Sequence, residues 1–409
     1  MTEAVAWQTF KMCEVSEAIF DGPHATPKLT GEGPVFLGIS SLVGGRLDIS
    51  QSGHVSDEDF KKWTRRVEPR CNDLVFSYET RLGEAALIPE GLVCCLGRRM
   101  ALIRPDLEVV DPRFLLYAYL GPQFQEVIRQ RTVHGSTVSR IPLVEFPEFE
   151  MALPPLPEQR AIAEVLGALD DKIESNRRIW KLRLELAGSA FRRAAKEAEA
   201  TTPLGELYEV GLSGVWGQDE PGGKATVATS CLRGRDLEDF VAGGVVESPV
   251  RFISEKQLSS RVFQNGEIWT AGSGSLGPSL LITEGVARLW ENQLTYSNFV
   301  KRLVPIGGHD MAEVAWNSVV DTWRNDGFAA FRTGTAMPNL DPSALLAGVQ
   351  VPVVANESRE EIALLTNAAL DPQVLMENLA LARLRDALLP ALLSGRIRVP
   401  VAAELVEAS

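Results

Sequence analysis

The chain has 409 residues, of which 45% are hydrophobic, and its 41 Lys and Arg against 54 Asp and Glu give a formal net charge of -13. This length favours two domains, and the apolar fraction excludes a mainly disordered chain. No stretch approaches the roughly 18 consecutive apolar residues that cross a bilayer. The first 25 residues lack a basic start followed by an apolar block, so we expect no secretory signal. The five cysteines form no CxxC motif. We therefore expect a cytoplasmic protein with reduced thiols.

Residues 1–155 mix short apolar runs with Gly and Pro, a pattern that predicts strands and turns. Residues 35–39 are one such strand, and a helix is expected near 112–120. Pro154 and Pro157 then hold the chain extended, and Pro157 suits the first turn of a helix. The sequence therefore predicts an N-terminal mixed α/β domain over 1–155 that leads into a helix.

From residue 158 to about 198 the chain has no Pro, and its apolar residues follow the four-and-three spacing of a helix that packs along one partner. This apolar seam consists of Ile162, Leu166, Leu169, Ile173, Trp180, Ala187, Ala190 and Ala194. Asn176 and Arg183 interrupt it with polar side chains. We assign residues 156–199 to a first spacer helix of roughly 60 Å, at about 1.5 Å per residue.

The second half of the chain repeats this organisation. Asp73-Leu74-Val75 with Leu82-Gly83 reappears 194 residues later as Glu267-Ile268-Trp269 with Leu276-Gly277, and Gly135-Ser136 returns 199 residues later as Gly334-Thr335. A near-constant offset between separated matches indicates a tandem duplication. Residues 200–352 are therefore predicted to form a second α/β domain, with a strand at 267–270 and a helix near 310–322.

A second spacer helix region is predicted at 353–396. The Asp371-Pro372 pair resembles a cap and restart inside it, Pro390 should kink it, and Gly395 should end it. Its expected apolar seam consists of Leu381, Leu384, Leu388 and Ala391. The remaining tail, 397–409, carries no structural signal.

Two long amphipathic helices, one in each repeat, are expected to pack together, because equivalent units usually relate by a two-fold axis. An axis perpendicular to the helices makes them antiparallel. The predicted fold is α+β, with two pseudo-symmetric mixed α/β domains separated by two long antiparallel helices that form a coiled-coil spacer. The alternative is that each helix packs only on its own domain.

Motifs for catalysis are missing from the sequence. It has no phosphate-cradling ATPase loop, no HExxH, no Asn-Pro-Pro-aromatic tetrapeptide of amino-methyltransferases and no Glu-x-Lys nuclease motif. Residues 272–277 match GxGxxG, but Pro278 follows at once and no helix opens there, so a loop is favoured over a dinucleotide site. We predict no catalytic residue, no metal site and no cofactor bound by this chain. A duplicated chain without a reactive cluster favours a binding protein.

Four regions carry a resemblance to a known family. Residues 153–162, Leu-Pro-Pro-Leu-Pro-Glu-Gln-Arg-Ala-Ile, with Asp170-Asp171-Lys172-Ile173 after them, resemble the central region of type I restriction–modification DNA specificity subunits. The segment 381–395 is similar to the C-terminal helix of that family, and 21–28 and 214–217 are similar to the openings of its recognition domains. One departure is that the second helical region lacks the Pro-Pro-Leu-Pro-Glu-Gln run. Its docking surface or helix packing is therefore expected to differ.

The resemblance implies a function. In that family each globular domain is a target recognition domain that binds one half of a bipartite, asymmetric double-stranded DNA sequence. The paired helices set the gap between the half-sites and dock two copies of a DNA adenine methyltransferase subunit, which carry S-adenosylmethionine. A restriction motor-nuclease subunit can join them. The resemblance implies partner binding by Glu158, Arg160, Asp170, Asp171 and Lys172.

A protein with negative net charge must present positive charge locally to approach phosphates. Residues 59–104 hold nine basic and six acidic residues, among them Arg98 and Arg99, although a salt-bridged solvated face is the alternative. Residues 129–140 form a second basic and hydroxyl-rich patch suited to phosphate contacts. Loops at 78–81 and 273–275 follow equivalent strands and carry side chains suited to base edges. The candidate DNA-binding residues are Tyr78, Thr80, Arg81, Arg98, Arg99, His134, Ser136, Thr137, Arg140, Ser273, Ser275, Lys301, Arg332 and Thr335.

Trp216 is expected to be buried rather than to contact DNA. The leading hypothesis is a non-catalytic DNA specificity subunit. A second hypothesis is a scaffold or regulator of a methyltransferase complex without its own sequence choice, which selection from randomised duplexes would distinguish. A third is an enzyme with a cryptic site, which the missing catalytic motifs disfavour.

Overall fold

The computed structural model describes residues 7–50, 52–135, 138–244, 248–308, 310–334 and 338–399. The chain divides into two compact units: unit one is Met1–Asp170 with Leu384–Ser409, and unit two is Asp171–Arg383. The boundary between the units falls within two long helices, so each of these helices contributes residues to both units.

Unit one contains thirteen strands among its described residues. They are β1 (Gln8–Lys11), β2 (Ser16–Asp21), β3 (Thr30–Leu37), β4 (Leu42–Val43), β5 (Arg46–Leu47), β6 (Gly53–His54), β7 (Leu74–Ser77), β8 (Ala85–Leu87), β9 (Cys94–Leu96), β10 (Met100–Pro105), β11 (Val133–His134), β12 (Ser139–Arg140) and β13 (Glu150–Leu153). The helices are α1 (Asp57–Trp63), α2 (Pro112–Leu120), α3 (Pro122–Arg131), the first part of α4 (Leu156–Glu197) and the C-terminal end of α12 (Pro372–Leu393). Three 3-10 turns lie at Met12–Glu14, Ile39–Ser41 and Phe146–Glu148.

Unit two contains eleven strands among its described residues. They are β14 (Thr201–Pro203), β15 (Tyr208–Val210), β16 (Val227–Leu232), β17 (Val250–Ile253), β18 (Glu267–Ala271), β19 (Ser279–Ile282), β20 (Gln293–Tyr296), β21 (Val300–Pro305), β22 (Arg332–Thr333), β23 (Asn339–Leu340) and β24 (Gln350–Pro352). Its helices are the rest of α4, α5 (Leu204–Leu207), α6 (Gly234–Val241), α7 (Glu255–Ser259), α8 (Glu284–Ala287), α9 (Ala312–Arg324), α10 (Pro342–Gly348), α11 (Asn356–Ala369) and most of α12 (Pro372–Leu393). A 3-10 turn lies at Gly327–Phe331.

The two units share one sheet topology. The four-stranded sheet β2-β10-β7-β8 of unit one corresponds to β15-β21-β18-β19 of unit two, and the three-stranded sheet β6-β3-β9 corresponds to β17-β16-β20. In each three-stranded sheet one pair, β3–β9 or β16–β20, is parallel. The pairs β1–β13 and β11–β12 correspond to β14–β24 and β22–β23. The fold is therefore α+β with two pseudo-symmetric mixed α/β domains, as the sequence repeat predicts.

Central strands of both units are buried on both faces because their sequences are almost continuously apolar. In unit one, β7 (Leu-Val-Phe-Ser) is fully buried, and the Phe76 ring stacks on Phe146 at 4.8 Å between centroids. In unit two, β18 (Glu-Ile-Trp-Thr-Ala) is likewise buried, and Trp269 packs on Tyr296 at 4.6 Å. These two strands carry the loops at which the candidate site residues lie.

Helix α4 begins and ends close to the predicted spacer helix, and most of its apolar seam is buried. Its C-terminal part packs antiparallel to α11 and α12 within unit two. Asn176 contacts Asn378, Arg183 donates to the carbonyl of Ala368 at 3.3 Å, and Arg193 binds Glu361. Antiparallel pairing of the long helices is thus confirmed within unit two. Trp180 of α4 also lies edge-on against Phe240 of the second α/β domain, within unit two, at 5.1 Å between centroids.

The second helical region consists of two helices. Asp371 accepts a hydrogen bond from the backbone N–H of Gln373 at 3.0 Å, so the predicted cap and restart are confirmed. Helix α12 continues through Pro390 to Leu393, and Gly395, with φ +66°, follows its end. The predicted seam of α12 is wrong at Leu384, which is 49% exposed, whereas Leu375, Asn378 and Leu392 are buried. Leucines occur on several faces of α12, so their spacing does not select the buried face.

None of the described helices combines the length and the apolarity that a bilayer-spanning helix requires.

Candidate nucleic-acid interface

Three segments of unit one that are distant in sequence meet at the end of β7. We call them loop cluster one: the loop 78–83, the turn 97–99 and the hairpin residues 133–135 and 138–140. The backbone N–H of Tyr78 donates to the carbonyl of Arg99 at 3.1 Å, and the N–H of Ile141 donates to the carbonyl of Tyr78 at 2.9 Å. Glu79 and Arg140 form a β-bridge. Backbone hydrogen bonds therefore hold together two of the sequence-predicted patches.

Unit two builds the same arrangement, loop cluster two, from 272–277, 297–299, 332–334 and 338–339. The N–H of Gly272 donates to the carbonyl of Phe299 at 2.8 Å, and the N–H of Leu340 donates to the carbonyl of Gly272 at 3.0 Å. Ser273 and Asn339 form the β-bridge. Each backbone contact of loop cluster one thus has a counterpart in loop cluster two, although the side chains differ.

Glycines close both loops at equivalent positions. Gly83 has φ +85° and Gly277 has φ +112°, conformations that residues with a Cβ rarely adopt. A Cβ would also lie 2.2 Å from Gln125 at Gly83, and 2.0 Å from Trp323 at Gly277. The Leu-Gly repeat in the sequence therefore marks the point where each loop returns beneath a side chain of the neighbouring helical layer.

Two of the three arginines on the loop 78–83 and the turn 97–99 already form ion pairs or hydrogen bonds within unit one. Arg99 lies 3.2 Å from Glu79, and Arg81 donates to the carbonyl of Ile39 at 3.1 Å while its other end lies 3.1 Å from Glu84. Arg98 is exposed and makes no hydrogen bond or ion pair with another described residue. Of these three arginines, Arg98 therefore keeps all of its donors for a ligand.

Tyr78 is only 4% exposed, which corrects the expectation that its ring lies on a surface loop. Burial raises the pKa of the phenol, and the neighbouring Glu79 carboxylate raises it further, so Tyr78 stays neutral at physiological pH. Its backbone connects the other two segments of loop cluster one. Contact between the Tyr78 side chain and DNA stays a prediction.

The other candidate DNA-binding residues lie on the loop clusters or on adjoining strands. Thr80, His134 and Arg140 are exposed in unit one, Ser275 and Arg332 are exposed in unit two, and Ser273 and Lys301 are half-buried there. His134 Nδ1 lies 3.0 Å from the Ser139 hydroxyl. Ser136, Thr137 and Thr335 lie outside the described residues.

Ion pairs neutralise much of the basic segment 59–104. Lys62, Arg66, Arg81, Arg99 and Arg104 each lie within 4.0 Å of a carboxylate, with Arg104 on the buried Asp73 at 2.8 Å. The salt-bridged alternative thus describes these five residues. Lys61, Arg65 and Arg98 are exposed without an ion pair to another described residue, so positive charge is concentrated in fewer places than composition indicates.

Most of the predicted partner-binding residues contact the chain itself. Asp170 accepts hydrogen bonds from the Tyr117 hydroxyl at 2.6 Å and from Arg385 at 2.8 Å within unit one. Lys172 lies 3.5 Å from Glu377, and buried Glu158 lies 3.6 Å from Arg398. Arg160 and Asp171 are exposed, and Asp171 also interacts within the chain. Partner binding by these residues stays a prediction, and Asp170 has a defined role inside unit one.

Sequence reasoning placed Trp216 wrongly and did not find Asn298 or Phe299. Trp216 is 41% exposed, and its ring packs 4.5 Å from the guanidinium of buried Arg251. Asn298 and Phe299 are exposed on the turn that corresponds to Arg98 and Arg99. Aligning the two repeats through this turn would have found them, because 98 and 298 differ by the 200 residues that separate its other members.

No group of three or more His, Cys, Asp or Glu in the described part of the chain is placed to hold a metal ion.

Comparison with known proteins identifies relatives. Residues 6–182 match the family model of the type I restriction modification DNA specificity domain. The type I restriction enzyme MjaX specificity subunit of Methanocaldococcus jannaschii is 27% identical over 179 residues, which are 41% of this chain and 40% of that protein. This chain thus matches about two fifths of the relative's length. The crystal structure of a type I restriction–modification S subunit from M. genitalium covers 96% of this chain and 97% of its own, with a TM-score of 0.53 and 16% identity. At this identity the structural likeness shows the fold alone.

Proposed function

We propose that the chain is the non-catalytic specificity subunit of a type I restriction–modification system, the subunit that selects the DNA sequence. The match of residues 6–182 to the specificity-domain family and the similarity to a specificity subunit support this proposal. Each unit binds one half of a bipartite, asymmetric site in double-stranded DNA through its loop cluster. The observation that carries this proposal is the repeated backbone of the two clusters with different side chains on it. One scaffold used twice, with different side chains, suits two different half-sites.

Contacts to phosphates and contacts to bases have different requirements. Phosphate contacts need positive charge and position the protein, while base edges need forked or paired donors and acceptors. Arg98, His134 and Arg140 supply exposed cationic or hydrogen-bonding groups in loop cluster one. In loop cluster two, Ser275 and Arg332 supply such groups, and Thr80 and Ser273 lie on the equivalent strand-end loops. These side chains support direct contact of both units with the duplex.

Docking of two methyltransferase subunits is the second part of the proposal. Helix α4 exposes Ile179, Leu182 and Leu186 on one stripe of unit two, with Leu182 at 54%. Leu384 lies 202 residues after Leu182, which is the same offset that separates the paired Asn176 and Asn378, so we treat the two leucines as equivalent. Leu384 is 49% exposed and belongs to unit one. Exposed leucine at equivalent positions of two helices suits two copies of the same partner. These partners carry S-adenosylmethionine and methylate adenine, and a restriction motor-nuclease subunit joins them.

The proposal places the complex in the cytoplasm, where its DNA lies. The chain itself contributes no reaction chemistry, and it is expected neither to methylate nor to cut DNA when purified alone. Robust methylation by the isolated chain would overturn its non-catalytic role.

Methylome sequencing tests the DNA part of the proposal. A host carrying this chain with its neighbouring methyltransferase should show one bipartite methylated motif, and a host with the methyltransferase alone should not. Selection of randomised duplexes by the purified complex should enrich the same motif, with binding that weakens steeply as salt rises. Enrichment of no motif would establish the scaffold hypothesis and reject the specificity role.

Co-purification tests the docking part. Leu182→Glu places a charge in the proposed contact, and we expect it to reduce recovery of the tagged methyltransferase at least tenfold. Leu107→Glu is the matched control, because Leu107 is also 54% exposed but lies between β10 and α2 of unit one. Equal recovery with both variants would remove the exposed stripe of α4 from the interface.

A further inference from the structure

The turn that enters β10 and the turn that enters β21 place one exposed side chain each at the same position. The N–H of Gly97 donates to the carbonyl of Leu37 at 2.7 Å, and the N–H of Ser297 donates to the carbonyl of Leu232 at 2.8 Å. Each turn also has an internal hydrogen bond, from Met100 to Gly97 at 3.3 Å in one and from Val300 to Ser297 at 3.0 Å in the other. The second residue of the turn is Arg98 in unit one and Asn298 in unit two.

The residues beside these two positions change together between the units. Arg99 lies 3.2 Å from Glu79 in loop cluster one. In loop cluster two the equivalent residues are Phe299 and Ser273, so both members of the ion pair are replaced by neutral residues. Neither Arg98 nor Asn298 makes a hydrogen bond or ion pair with another described residue, and both are exposed. Their donors and acceptors are therefore available to a ligand.

Resting on the proposed function, we infer that Arg98 and Asn298 are specificity-determining residues that each contact one base pair, with guanine preferred by Arg98 and adenine by Asn298. The two turns differ at the next residue, where Arg99 has φ +72° and Phe299 has no positive φ. Both side chains nevertheless belong to the second residue of the turn before equivalent strands, which assigns them to the same part of a bound half-site. There a guanidinium forks to O6 and N7 of guanine, and a carboxamide forks to N6 and N7 of adenine. A carboxamide hydrogen-bonds phosphate oxygens as well as base edges, so the sequence dependence of the Asn298→Ala effect decides between these two contacts.

The test uses the full-length chain in complex with its methyltransferase and a library of half-site variants. Arg98→Lys keeps the positive charge but loses the planar fork. We expect it to reduce preference for guanine at one position of one half-site by about 5- to 150-fold. Asn298→Ala should relax the preference for adenine by a similar factor at one position of the other half-site. The other half-site should be unchanged in each case.

Two outcomes would overturn the inference. If Arg98→Lys binds every sequence as the wild type does, while Arg98→Ala weakens all sequences equally and lowers the salt dependence, Arg98 contacts only phosphate. If Asn298→Ala leaves both half-sites unchanged, Asn298 does not contact a base.

Control variants separate these results from general effects of charge. Arg65→Lys makes the matched change at an exposed arginine outside loop cluster one that has no ion pair to another described residue, and Asn356→Ala makes the matched change at an exposed asparagine that opens α11. Neither should alter the motif. Failure of the proposed function itself would be distinct, since the wild-type complex would then select no motif at all.

Discussion

Replacing Arg302 by Met is expected to destabilise unit two severely, because the Glu267 carboxylate would remain buried without its cation. Glu267 is 0% exposed and Arg302 is 6% exposed. Arg302 donates to Glu267 through Nε at 2.8 Å and through Nη2, and it also donates to the carbonyl of Val262 at 3.0 Å. Trp269 Nε1 and the backbone N–H of Gln264 complete the shell around the carboxylate, each at 2.7 Å.

The contacts set the magnitude of the expected loss. A hydrogen bond to a charged group contributes about 1.5–3 kcal/mol, so the two donations from Arg302 to Glu267 correspond to about 3–6 kcal/mol. Removing one partner of a buried pair typically costs about 3–5 kcal/mol, which agrees with that range. For a unit of roughly 200 residues this lowers Tm by about 6–20 °C. The double variant Glu267→Leu with Arg302→Met should lose less than Arg302→Met, since no unpaired charge stays buried.

Hydrogen exchange measured by mass spectrometry on the intact chain resolves the effect by unit. Peptides from β18 and β21 should exchange faster in Arg302→Met, while peptides from β7 and β10 should not change. Arg104→Met is the matched control in unit one, where the arginine side chain is 16% exposed and Asp73 also accepts from the N–H of Arg70. Arg104→Met should lower the free energy of unfolding by less than Arg302→Met does. A loss below about 1 kcal/mol in Arg302→Met, or a larger loss in the double variant, would refute the argument.

Three further predictions concern closely packed groups. Asn176→Ala should lower the free energy of unfolding by about 1–3 kcal/mol, because Asn378 loses its hydrogen-bond partner at 3.0 Å. Leucine at both positions should lower it by less. Urea denaturation compares the two variants, and an equal loss of stability would count against a paired role of the two asparagines. Burial raises the pKa of Cys94 and of Cys95 to about 12. At pH 8 only the exposed Cys13 and Cys71 should therefore react rapidly with a thiol reagent. Rapid reaction of four cysteines would contradict this prediction. Gly214→Ala would place a Cβ 2.3 Å from a backbone oxygen of the turn before β21, and it should lower the free energy of unfolding by about 1–3 kcal/mol. It should also weaken binding to the half-site of unit two, which mobility shifts would measure. Unchanged affinity would show that the turn relaxes freely.

Local patterns predicted the elements that depend on neighbouring residues. The proline-to-helix segment and the apolar seam gave α4 within two residues of its observed ends, Leu156 and Glu197. Helix α2 begins at Pro112 with Asp111 as its cap, as turn chemistry favours. The repeat offsets matched β7 with β18 because equivalent buried strands keep equivalent apolar residues. The predicted domain boundaries and the partners of the complex stay predictions.

The candidate site was predicted only in part, because its segments meet through contacts that no local pattern reports. Tyr78 follows a strand, so the sequence suggested an exposed loop. In the structure its backbone N–H donates to the carbonyl of Arg99, and its side chain is buried. Asp170 belongs to a family-like motif, yet Arg385, which lies 215 residues away, occupies its carboxylate. Charge counts could not show which arginines are neutralised, since ion pairing depends on distance in space.

The amino-acid sequence alone determined that the chain is duplicated, that each copy joins an α/β domain to a long helix, and that the chain resembles DNA specificity subunits. These features follow from periodicity, capping residues and repeated motifs, which act over a few residues or recur at a fixed offset. Only the tertiary structure decided that Glu79 neutralises Arg99 while Arg98 stays exposed, and that Glu267 and Arg302 are buried together. Contacts between residues distant in the sequence are fixed by packing and hydrogen bonding of the whole unit, and spacing along the chain does not encode them.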